Sequence, residues 1–85
     1  MIKKNILGLD FAVHSPSRYA LMGEWHFFKE LCEIEVTYAD HYWEITFYVR
    51  GSMVNQLLPQ ATRDDCVLQL IACMQLGAQQ EGNLA

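Results

Sequence analysis

"RYALMGEWHFFKELCE", residues 18–33, admits two readings, and the choice between them decides the fold. As a helix, Leu21, Trp25, Phe28 and Cys32 recur at helical spacing and Leu31 joins their face, with His26, Lys29, Glu30 and Glu33 opposite. Ser15 before Pro16 supplies an N-cap with proline at the first helical position. Gly23 costs such a helix about 1 kcal/mol relative to alanine. As a hairpin, "RYALM-GE-WHFFK" turns at Gly23, which opens a type II′ turn. The helix is the reading carried forward, with the hairpin as its alternative.

Upstream, residues 6–13 alternate. Leu7, Leu9, Phe11 and Val13 share one face, and Ile6, Gly8, Asp10 and Ala12 the other, the pattern of a strand. The start "MIKKNILGLD" faintly suggests a signal peptide, but Asp10 interrupts the apolar run and no A-x-A site follows. Downstream comes "IEVTYADHYWEITFYV", residues 34–49, with five aromatic rings in sixteen positions. Setting Tyr38 opposite Trp43 pairs Val36 with Ile45 and Ile34 with Phe47, so one hairpin face is wholly apolar. The other face carries Glu35, Thr37, Tyr42, Glu44, Thr46 and Tyr48. Burial fixes this register, because a slip of one residue would exchange the faces.

"RGSM" then predicts a second hairpin, a type II′ turn with Gly51 and Ser52 at its centre and a return strand over Met53–Leu58. Pro59 ends that strand. In this register Gln56 faces the apolar side opposite Phe47, a misfit that a bulge or a short edge strand would relieve. Thr62 caps a final helix, with Asp64 and Asp65 in its first turn. Val67, Leu70, Ile71, Met74 and Ala78 form its apolar stripe, and Gly77 is its stop signal. The expected fold is therefore α+β: a three- to four-stranded antiparallel sheet with two helices packed on one face, in the order β-α-β-β-β-α. It forms one domain over residues 1–79, with a flexible tail over 80–85.

Composition narrows function. The chain has 85 residues, 52% of them apolar, and a net charge of −4. The acidic balance disfavours direct nucleic-acid binding, which needs clustered lysine and arginine. No apolar stretch approaches the roughly 20 residues of a membrane span. Cys32, Cys66 and Cys73 cannot all pair within one chain, which fits a reducing, cytoplasmic compartment. Neither the cysteines nor His14, His26 and His41 have zinc-ligand spacing. No phosphate-cradling motif is present, and "LGLD" and "RGS" do not make one. No catalytic residue, metal ligand or cofactor is expected. The paired carboxylates Glu33/Glu35 and Asp64/Asp65 read as a solvated strand face and as helix-start chemistry.

Helix, three strands and helix over residues 16–77 resembles the topology of the double-stranded-RNA-binding domain. That family carries a lysine-rich start to its last helix, where this chain reads "ATRDDCVLQ" with a single Arg63. The contacts to RNA would lack their cations. "LLPQATRDDCVLQLIACMQLGA", residues 57–78, resembles antitoxins of the HicB type, which run from a strand through a P…T turn into an amphipathic helix, although the family's "LPGC" turn is missing.

The leading expectation is a non-enzymatic protein-binding module. A small, acidic chain without a catalytic motif is similar in type to phage and mobile-element inhibitors, anti-CRISPR proteins among them. The candidate binding residues are Glu35, Tyr42, Glu44, Thr46 and Tyr48, which would cover a basic surface on a nucleic-acid-handling complex. One alternative is an antitoxin-like regulatory partner that forms a homodimer through the edge strand Met53–Leu58. Another is a small enzyme or metal-binding protein built on the cysteines.

Overall fold

The computed structural model describes residues 2–27 and 29–84, with side chains as far as Leu76. Among these residues seven strands and one helix follow one another: β1 Ile2–Ile6, β2 Leu9–Ser15, β3 Arg18–Leu21, β4 Trp25–Phe27, β5 Glu30–Ala39, β6 Tyr42–Val49, β7 Ser52–Gln56 and α1 Arg63–Leu84. They form one antiparallel sheet in the order β1-β2-β3-β5-β6-β7, with β4 beside the first half of the long β5.

The expected α+β fold is thus corrected. The described residues of 18–33 hold no helix, and the double-stranded-RNA-binding order is not adopted. The hairpin alternative is corrected as well. β3 and β4 do not pair with each other but lie end to end along β5. Ala20 pairs with Glu35 and Trp25 with Cys32, so residues 21–24 on one side face 33–34 on the other. The two extra residues are absorbed around Gly23, at φ +100°. Trp25 Nε1 donates to the Met22 carbonyl at 2.9 Å and closes the break. The chain turns instead between Phe27 and Glu30, with Lys29 at φ 67°. Phe28, expected on the helical stripe, lies outside the described residues.

Spacing explains the misreading. Residues four apart share a face in a helix, and they also share a face in a strand, where the period is two. Leu21 and Trp25 meet both rules, and both side chains join the core as strand residues. Aromatic content then favours strands here, because such side chains fit a pleated, half-buried surface.

Two further hairpins depart from expectation. The single strand over residues 6–13 is a hairpin, β1–β2, that turns at Leu7 and Gly8 with φ 53° and 95°. Asn5 braces it, donating from Nδ2 to Asp10 Oδ1 at 2.9 Å and accepting the Gly8 N–H at 3.1 Å. The β2–β3 turn is "SPSR": Ser15 pairs with Arg18, and Ser15 Oγ accepts the Ser17 N–H at 3.2 Å, where a helix N-cap was expected.

The β5–β6 hairpin has the expected register, with Tyr38 opposite Trp43, Val36 opposite Ile45 and Ile34 opposite Phe47. Its turn is Asp40–His41, both at positive φ, as a type I′ turn requires. The β6–β7 turn is corrected from type II′ to type I′. Val49 pairs with Ser52, so Arg50 and Gly51 are central, at φ 50° and 81°. The return strand is Ser52–Gln56, shorter than expected, and it carries the anticipated bulge: Phe47 pairs with Asn55 and Tyr48 with Met53, leaving Val54 without a partner.

α1 begins as read. Thr62 Oγ1 accepts the Asp65 N–H at 3.1 Å. Cys66, Val67 and Leu70 are fully buried, and Ile71, Cys73 and Met74 pack around them. The helix runs past Gly77. Ala78 and the expected tail over 80–85 fall beyond the last described side chain. One face of the sheet thus meets α1 through Phe11, Tyr19, Ile34, Val36, Ile45 and Phe47. Phe27 and Phe47 meet edge to face, their centroids 5.1 Å apart.

Candidate protein-binding face

The helix covers only one side of the sheet. Side chains alternate along each strand, so the residues between the core positions of β5 and β6 point the other way. The pairs on this open face are Glu33 with Tyr48, Glu35 with Thr46, Thr37 with Glu44 and Ala39 with Tyr42. All five candidate residues, Glu35, Tyr42, Glu44, Thr46 and Tyr48, therefore lie on one surface of one hairpin.

Neighbouring strands complete the surface. Arg18 of β3 grips Glu35 with both ends of its guanidinium: Nε donates to Oε1 at 3.0 Å and Nη2 to Oε2 at 2.8 Å. This bidentate geometry orients the carboxylate and neutralises it. On the other side, the Val54 bulge turns Gln56 onto the open face opposite Thr46. Gln56 Nε2 donates to Thr46 Oγ1 at 3.2 Å and reaches Glu44 Oε2 at 3.4 Å. The two-residue turn at Arg50 and Gly51 places Met53 opposite Tyr48.

The five residues differ in what they offer. Tyr42 is exposed, while Tyr48 and Glu44 are half-buried. Thr46 is only 4% exposed, so a partner there would meet Gln56, which covers it. Glu35 is committed to Arg18. Tyr42 and Tyr48 are the elements open to a partner, extended by Glu33 and Met53, with Glu44 touched at its edge by Gln56. Across β3, β5, β6 and β7 this face carries three carboxylates (Glu33, Glu35, Glu44) against the one guanidinium of Arg18. Tyr48 beside Met53 forms an apolar centre with polar groups around it, the arrangement found at protein interfaces. Gln56 escapes a reading by simple alternation. Its misfit opposite Phe47 was the signal, since one bulged residue moves it to the other face.

The cysteines are arranged differently. Cys32 and Cys66 are buried, and Cys73 is half-buried beside them. Burial pushes the Cys66 thiol up to about 11 and raises Cys32 and Cys73 as well. That direction disfavours the thiolate a nucleophile or metal ligand needs. Among the described residues no three histidine, cysteine or carboxylate side chains converge as a metal site. No helix there is long and apolar enough to cross a membrane. Comparison with protein-family models, curated proteins and solved structures finds no match for this chain.

Proposed function

We propose that this chain is a non-enzymatic protein-binding module that works by occlusion. Its open sheet face would cover a basic surface that otherwise holds nucleic acid, as small acidic inhibitors of phage and mobile-element type do. One observation carries the reading: Tyr42, Tyr48 and Met53 stand among Glu33 and Glu44 on a face that no other element of the described chain covers. Tyrosine gives large contact area at low entropic cost, and carboxylates at the edge raise the association rate toward a cationic partner.

The test is competition. A partner retained by the immobilised chain should be released by added duplex nucleic acid at low salt, and separately by raising the salt alone. A partner that binds this chain and nucleic acid at the same time, each with undiminished affinity, would show that the face does not occlude.

A further inference from the structure

β1 and β7 end the sheet, and they are built differently. The end of a sheet presents unpaired backbone groups, and lysine is a common shield against another strand. β1 carries Lys3 and Lys4. β7 carries no charge, and neither does any residue of "GSMVNQLLPQAT", 51–62. Met53, Val54 and Leu58 are 60%, 57% and 75% exposed. On the helix side, Val54 also walls a groove of about 440 Å³ lined by Phe27, Phe47 and Cys73.

We propose that β7 pairs with β7 of a second copy of this chain, antiparallel across a two-fold axis, to make one continuous sheet. A backbone edge selects an extended strand, and the composition of β7 suits its own copy. With the axis on Val54, Ser52 meets the partner's Gln56 and Met53 meets the partner's Asn55. No charge enters the pairing: the two Arg50 residues lie eight positions apart, about 27 Å at 3.4 Å per residue. The same operation on β1, with the axis on its central Lys4, sets Lys4 directly against its copy with Lys3 one position away, and like charges directly opposite are destabilising. Of the two ends of the sheet one is therefore open and the other barred, which favours a two-fold pair over a chain of copies.

The axis stands perpendicular to the sheet, so both helices fall on one side and both acidic faces on the other. Tyr48, Met53 and Gln56 lie nearest the axis, and the two patches merge. This goes beyond the binding reading, which a monomer satisfies equally well. The bulge at Val54 shortens the available ladder, and Asn55 Oδ1 already accepts the Gln56 N–H at 3.0 Å. Association is accordingly weak and depends on concentration.

Sedimentation equilibrium of the full chain from about 1 μM to about 1 mM tests the proposal. The expected result is a monomer–dimer equilibrium that tightens with salt, because each copy carries −4. Partner binding by the acidic face weakens with salt, so the two interactions separate by sign. Val54→Lys should raise the dissociation constant by about fivefold or more, the cost of two lysines facing each other on the axis. Lys4→Gln should leave it unchanged. In the unmodified chain, β7 amides should exchange hydrogen more slowly as concentration rises, a readout that holds even if Val54→Lys does not fold. A monomer at every concentration, a dimer indifferent to Val54→Lys, or β7 exchange that ignores concentration would overturn the proposal.

Discussion

Arg50→Asn should stabilise the protein, and the size of the effect follows from the β6–β7 turn. Arg50 is the first central residue of that turn, at φ 50°. The left-handed conformation costs an ordinary L-residue about 1–2 kcal/mol. Asparagine visits it far more readily, and Asn-Gly is the favoured pair for a type I′ turn. Replacing Arg50 should recover about half of that strain. The loss is small, because the Arg50 side chain is 83% exposed and its ion pair to Glu30 is long, at 3.7 Å. Exposed pairs of this kind contribute about 0–1 kcal/mol. This long, exposed pair sits at the bottom of that range, so the net gain is up to about 1 kcal/mol, or up to about 8 °C in Tm for a domain of this size.

Urea unfolding followed by tryptophan fluorescence measures it, with the slope expected to stay constant while the midpoint rises. Glu30→Gln, measured alongside, isolates the ion pair. If the turn were type II′ with Gly51 and Ser52 central, residue 50 would carry no left-handed strain. Arg50→Asn would then be neutral or harmful, and that result would refute the reasoning. The register matters beyond the turn, because it sets Met53 beside Tyr48 on the candidate face.

Three further outcomes follow from particular contacts. Gly23→Ala should cost about 1–2 kcal/mol in urea unfolding, mainly as backbone strain at φ +100°, since the added Cβ meets Trp25 Nε1 only at 3.4 Å. Stability should fall as pH rises above about 9 toward 11, because the buried Cys66 thiol is held protonated while the unfolded thiol ionises near its ordinary value. Cys32 and Cys73, also raised by burial, add to the same slope, and Cys66→Ala should flatten it across the pH series of unfolding midpoints. Arg18→Gln should free the Glu35 carboxylate and speed association with a basic partner at low salt, with the gain vanishing at high salt in stopped-flow measurements.

Legibility of the fold tracked how many constraints acted on each residue. The β5–β6 hairpin was readable because its alternation is long, and burial of Ile34, Val36, Ile45 and Phe47 admits one register. The start of α1 was readable because Thr62, Asp65 and the Val67–Leu70–Ile71–Met74 stripe agree. Residues 18–33 were not, because spacing by four satisfies helix and strand alike, and only pairing with β5 and β2 breaks the tie. The β1–β2 hairpin hid behind Leu7, an unexpected residue at positive φ, whose turn is held by the side chains of Asn5 and Asp10. The candidate face was legible in β5 and β6 and lost in β7, where one bulged residue inverts the parity of everything after Val54.

The central claim is that the open face binds protein. Its most direct test is quantitative affinity capture with the unmodified chain and the Glu44→Ala/Tyr48→Ala variant side by side, at about 50 mM and about 300 mM salt. Circular dichroism and the unfolding midpoint first establish that both are folded. The account predicts a stoichiometric partner that the unmodified chain retains at low salt, releases as salt rises, and loses with the variant. Equal retention of that partner by both chains would contradict it and move the binding site off this face.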